Sequence, residues 1–146
     1  MCWQSKKTKI KTVRKNIPIW KVVLFDVMKR KYVSPIKGFD YIPCTRYSAQ
    51  MTFSVDAYFG VMMGHNGFHS FSSKLYCTYL RDIEKVSVYK KSLFSGEPIR
   101  NFTNDSHNTH LVIAKGYLPK GTRYAVNKRG EIISNSIVLN EFIDCK

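Results

Sequence analysis

Apolar positions in this chain mostly alternate with polar ones or form short continuous runs, a pattern that belongs to β-strands. Ile19-Trp20-Lys21-Val22-Val23-Leu24-Phe25 is β-branched, aromatic and almost continuously apolar, which predicts a strand in the middle of a sheet. Tyr32 and Val33 predict a short second strand, ended by Ser34-Pro35 and Gly38. Residues 39–47 carry Phe39, Tyr41, Ile42 and Tyr47 but are broken by Pro43, so they read as an edge strand or an extended loop. Residues 51–63 alternate in part and contain a strand, and Gly64 to Phe71 reads as a turn feeding an extended stretch. Val86–Tyr89, Leu111–Tyr117, Thr122–Val126, Glu131–Ser134 and Ser136–Leu139 are further strands. Pro119-Lys120-Gly121 is a tight turn, and Asn127-Lys128-Arg129-Gly130 is a hairpin turn whose glycine supplies the positive φ. The largest loop covers 95–109.

One stretch has a different period. Leu75, Tyr76, Tyr79, Leu80 and Ile83 recur at helical spacing behind Ser72 or Ser73, either of which suits an N-cap. A helix from about 73 to 84 follows, with an apolar stripe that should pack on the sheet. Strands, one helix, then strands again make an α+β fold, a mostly antiparallel β-sheet with one main helix packed on it. Residues 1–16 are polar, cationic and aperiodic, which predicts a flexible basic arm ahead of a single globular α+β domain over 17–146.

Charge changes the picture most. The chain has 146 residues, with 24 Lys and Arg against 10 Asp and Glu, a formal net charge of +14. No acidic residue precedes Asp26. Such a balance raises the local concentration of polyanions, nucleic acid first, then an acidic protein or an anionic membrane. The candidate nucleic-acid contacts are Lys6, Lys7, Lys9, Lys11, Arg14 and Lys15 in the arm, then Lys29, Arg30 and Lys31, then Lys90 and Lys91. Tyr32 and Tyr89 adjoin the last two groups, and lysine beside tyrosine is the composition that neutralises phosphates and stacks on bases. Solubility charge on an ordinary exposed sheet face is the plainer account of the same residues.

Reactive chemistry has less to stand on. His65 and His69 are four apart, and His107 and His110 three apart, but no helix holds either pair, so no metal is expected. Cys2, Cys44, Cys77 and Cys145 form no C-x-x-C pair, and Cys77 belongs to the core side of the helix. His69, Ser70, Ser72 and Ser73 surround a helix start, where an anion such as phosphate can be held; the competing account is that the serines cap the helix and His69 bonds a backbone carbonyl. Asp26, Asp82, Glu84 and Glu131 read as solvated charges. There is no P-loop, no G-x-G-x-x-G and no G-x-S-x-G, so no catalytic residue and no cofactor is expected. Without an apolar span or a signal-peptide core, a cytoplasmic protein with reduced thiols and no membrane contact is the default.

Gly67-Phe68-His69-Ser70-Phe71, then Leu118-Pro119-Lys120-Gly121-Thr122-Arg123-Tyr124 and Gly130-Glu131-Ile132-Ile133-Ser134-Asn135, resembles small uncharacterised proteins of gut Bacteroidales and their phages. That resemblance covers most of the part expected to fold and implies kinship without an activity. A second likeness is to the ADP-ribosyltransferase fold, in Phe71-Ser72-Ser73 ahead of a helix and Pro119-Lys120-Gly121-Thr122 leading into strands. The catalytic glutamate of that fold has no match, since Asn135 precedes Ser136–Leu139 and Glu131 lies several residues too early.

The function expected from charge and size is a non-enzymatic basic binding protein, phage or mobile-element encoded. It would engage nucleic acid or an acidic host protein in an infected or host bacterial cell, with inhibition of a host-defence complex as one form this takes. The alternatives are a virion component lying against packaged DNA, and a small enzyme with a phosphate or nucleotide pocket at His69.

Overall fold

The computed structural model describes residues 3–6, 9–33, 40–56, 60–78 and 109–143. Thirteen strands run through them in chain order: β1 Trp3–Ser5, β2 Lys11–Thr12, β3 Ile17–Asp26, β4 Lys31–Val33, β5 Asp40–Tyr41, β6 Arg46–Ser48, β7 Phe53–Asp56, β8 Val61–Gly64, β9 Phe68–Phe71, β10 Thr109–Leu118, β11 Arg123–Val126, β12 Glu131–Ser134 and β13 Ser136–Ile143. A helix, α1, is described over 74–78. Ser73 caps it, its Oγ accepting the Tyr76 N–H at 3.3 Å. The fold is therefore α+β, a mostly antiparallel sheet with a helix against it. The expected strand at 86–89, the far part of the expected helix and all of the expected 95–109 loop but Thr109, which opens β10, lie outside the described residues.

The main sheet runs β2-β11-β12-β9-β3-β10-β13-β6, and β4 and β5 continue from β3. β3 and β10 are its long central pair, in register from Ile17↔Leu118 to Asp26↔Thr109. Between β12 and β13 along the sheet stand β9, β3 and β10, yet in the chain only Asn135 separates them. A flat sheet cannot satisfy both distances, so the sheet curls and the chain turns the corner at Asn135. The inner face carries Ile132 on β12 and Ile137 and Leu139 on β13, so the alternation slips by one residue at that corner.

Inside the curl lies the main core: Val13, Ile19, Val23, Tyr41, Phe68, Val112, Ala114, Leu118, Ile132, Ile137 and Leu139. Full burial of one such aliphatic side chain contributes about 1.5–3 kcal/mol. The outer face of β3, β9 and β10 presents Trp20, Val22, Phe71 and Ile113, and Tyr76 and Cys77 of α1 cover them. Leu75 departs from the expected stripe: it is 81 % exposed, and Cys77 at 0 % is the helical residue that buries.

Where a flexible basic arm was expected over 1–16, the described residues 3–6 and 9–16 carry two short strands. β1 pairs with β8, β2 pairs with β11, and Val13 exchanges backbone hydrogen bonds with Gly121 and Thr122. Trp3 is 1 % exposed and packs with Ala125, Ile133, Met51 and Phe53. The sheet β1-β8-β7 thus lies against the outer face of β11 and β12. Gly64 sits at the contact, where a Cβ would meet Ile133 Cδ1 at 2.5 Å. Alternation cannot reveal so short a strand, and the lysines that follow Trp3 hide it in a composition that otherwise marks a solvated tail.

Candidate functional site

The His69 cluster does not assemble. Successive side chains of a strand point to opposite faces. Ser70 stands opposite Ile132 on the inner face and is 1 % exposed, whereas His69 stands opposite Ile133 on the outer face. Ser72 Oγ donates to the Gly130 carbonyl at 3.3 Å, and Ser73 caps α1. The four residues therefore serve two faces, a turn and a helix end.

The predicted cations divide between two ends of the molecule. Lys29 and Arg30 occupy the β3–β4 turn, whose start is set by Asp26 Oδ1 accepting the N–H groups of Met28 and Lys29, both at 3.1 Å. Arg30 adopts φ 53° there. Lys31 pairs with Asp40 at 3.4 Å across exposed surface, worth under about 1 kcal/mol. Tyr32 is not available to a base, since its ring stacks on Phe142 at 3.7 Å and touches Phe25. Arg14 and Lys15 lie before the other end of β3, which at roughly 3.3 Å per residue is about 30 Å away. Lys6, Lys9 and Lys11 are exposed on or beside β1 and β2. Lys7, Lys90 and Lys91 lie outside the described residues.

At the Arg14 end, four separate segments are stitched together. Val13 N–H donates to the Thr122 carbonyl at 2.8 Å and Gly121 N–H to the Val13 carbonyl at 2.9 Å. Lys120 N–H donates to Asn16 Oδ1 at 3.1 Å. Asn135 ties the rest: its Oδ1 accepts the Arg123 N–H at 2.9 Å, its own N–H donates to the Arg123 carbonyl, and its carbonyl accepts the Ala49 N–H. Segments 9–17, 44–50, 117–126 and 134–138 meet here, and none contains an acidic residue. They carry Lys9, Lys11, Arg14, Lys15, Arg46, Lys120 and Arg123, all exposed.

A groove of about 320 Å³ opens at this junction, lined by Arg46, Ser48, Ala49, Gln50, Gly121, Asn135 and Ser136. Arg46, Lys120 and Arg123 escaped the sequence reading because each is an isolated cation. The signal that would have found them is the absence of acid over four separate windows, rather than a run of lysines.

A second electrostatic feature lies within the sheet. β3 and β9 share one ladder pair, Trp20↔Phe71, and then part. Lys21 reaches across the opening from the inner face, and its Nζ donates to the His69 carbonyl at 2.6 Å. The ammonium also sits 5.9 Å from the Tyr41 ring centroid. Burial lowers the Lys21 pKa from 10.5 to about 8, partly opposed by the Cys77 thiol. Burial and the neighbouring Tyr47 raise the Tyr41 phenol well above its usual range.

Glu131, expected as a solvated charge, is 7 % exposed. Its carboxylate accepts the Tyr76 hydroxyl at 3.2 Å, and its carbonyl accepts the Trp3 indole N–H at 2.8 Å. Burial raises the Tyr76 pKa, and the Glu131 charge adds to the rise. His65 is exposed and hydrogen-bonds through Nε2 with Ser54 Oγ. Among the described residues no three His, Cys, Asp or Glu side chains come together in a way that would hold a metal ion. His107 and the side chain of His110 lie outside the described residues, and no described helix is long and apolar enough to cross a membrane. No protein-family model matches the chain, and no curated protein or solved structure matches it either.

Proposed function

We propose that this protein is a non-enzymatic nucleic-acid-binding protein that lays the phosphate backbone across the acid-free end of its curled sheet. The supporting observation is the meeting of four hydrogen-bonded segments that carry seven exposed cations and no carboxylate. Phosphates recruited there displace counterions without meeting a like charge. An acidic protein would feel the same charge, but stable protein partners need a desolvated apolar or aromatic centre. The groove at this end is instead lined by hydroxyl, amide and guanidinium groups.

The test is fluorescence anisotropy with single-stranded DNA, duplex DNA and RNA across a salt series. The full chain is compared with the triple variant Arg14→Glu, Lys15→Glu, Lys120→Glu and with a control, Lys29→Glu plus Arg30→Glu, at the far end. All five side chains are exposed, so both variants should retain the circular dichroism of the parent. Affinity should fall steeply with salt, and the triple variant should lose at least about tenfold with a shallower slope, while the control changes much less. Equal losses in both variants would mean diffuse attraction by net charge, and no binding at moderate salt would sink the proposal.

A further inference from the structure

We infer that the groove at the Asn135 corner is a subsite for one phosphate ester group, gripped by Arg46. This rests on the proposed nucleic-acid reading and names the chemistry of one part of that face. Arg46 lies on edge strand β6, opposite Val138, and its guanidinium is fixed at one point: Nε donates to Ser136 Oγ at 2.9 Å. Ser136 is a rigid anchor, 2 % exposed and paired with Ser48, and its carbonyl accepts the Ser134 hydroxyl at 3.0 Å. With Nε engaged, the four N–H bonds of the two Nη atoms remain. They form the flat two-pronged edge that matches two oxygens of a phosphate.

The rest of the lining suits the same guest. Ser48 and Gln50 supply donors, and Asn135, whose Oδ1 is taken by Arg123, has its Nδ2 group as another. Gly121 has φ +89° and nothing within 4 Å of where a Cβ would stand, so the wall is left low. No carboxylate lines the groove, so an anion meets no like charge there. A volume of about 320 Å³ equals about ten water molecules, room for a phosphate and its attached sugar. An internal phosphodiester, a strand-end phosphate and a free nucleotide share this chemistry, and the experiment separates the first from the other two.

The full chain, labelled with ¹⁵N in its arginine side chains, is titrated with inorganic phosphate, a 5′-mononucleotide, and an oligothymidylate with and without a 5′-phosphate. The Arg46 Nε–H resonance should shift saturably. A preference for the 5′-phosphorylated strand and the mononucleotide identifies an end site, whereas equal response to both strands identifies an internal phosphodiester. Arg46→Lys keeps the charge but not the fork, so it should weaken the responsive probe about tenfold with little change in salt slope. Ser136→Ala should weaken it less, and the Arg46 resonance should broaden. If Arg46→Lys binds every probe as the parent does, the subsite is overturned, while the wider face stands as long as the Arg14, Lys15, Lys120 variant still loses affinity. If no probe binds the parent chain, both fall together.

Discussion

Lys21 Nζ and the carbonyl oxygen of His69 meet at 2.6 Å where the ladder between β3 and β9 stops. The bond supplies the donor that a continuing ladder would have supplied, at the cost of keeping a cation inside the sheet. Because burial lowers the folded pKa to about 8 from 10.5, the unfolded chain holds the proton more tightly. Stability therefore rises as pH climbs from about 8 to about 10.5, and the penalty is fully present below about 8. A shift of roughly 2.5 units corresponds to about 3 kcal/mol. Urea unfolding of the parent and of Lys21→Met between pH 7 and pH 10.5 should show the parent gaining on the variant by that order. Parallel curves would show that the amine is not desolvated.

Trp3 joins the N-terminal strand to the main sheet through packing and through its indole hydrogen bond to Glu131. Trp3→Ala should cost about 3–5 kcal/mol, and deletion of residues 1–16 should leave a chain that unfolds at lower urea or does not fold. A truncated chain with parent-like stability would return the segment to the status of an arm.

Gly116 stands at the register shift between β10 and β13, and a Cβ there would overlap the Val138 carbonyl oxygen and approach Leu139 Cα at 2.9 Å. Backbone cannot give way cheaply, so Gly116→Ala should destabilise by about 3 kcal/mol or more. Gly121→Ala meets no neighbour and carries only the strain of φ +89°, about 1 kcal/mol. Thermal unfolding of the two variants should rank them in that order.

Ser70 Oγ and Thr122 Oγ1 are buried with no hydrogen-bond partner. Removing an unpaired buried hydroxyl recovers its desolvation penalty, about 1–3 kcal/mol. Ser70→Ala and Thr122→Val should therefore raise the urea midpoint. A clear loss of stability in both would mean that each hydroxyl has a partner in solution.

Much of the strand pattern could be read locally. The run from Ile19 to Phe25 foretold a central strand, observed as Ile17–Asp26, because a strand buried on both faces has no polar alternation to lose. The turns at Pro119-Lys120-Gly121 and Asn127–Gly130 were legible because glycine at φ +89° and +78° answers a backbone need within a few residues. β1 and β2 were not legible, since two or three residues carry no period and their partners stand about 60 and 110 positions away. The predicted site fared differently: it was drawn from residues adjacent in sequence, and His69 and Ser70 are adjacent in sequence but opposite in space.

The amino-acid sequence by itself determined the β-rich composition, the central strand, a helix start at Ser72 or Ser73 and the excess of cations. Each of these follows from side chains and backbone preferences within a window of a few residues. Only the tertiary structure decided that Lys11 lies on a strand paired with β11, that Lys21 is buried, and that Arg46 meets Ser136 at the mouth of a groove. Those outcomes depend on sheet order and on the corner at Asn135, which bring together residues as far apart as Val13 and Thr122. No local pattern encodes such pairings, because the free energy that selects them comes from burying the shared core inside the curl.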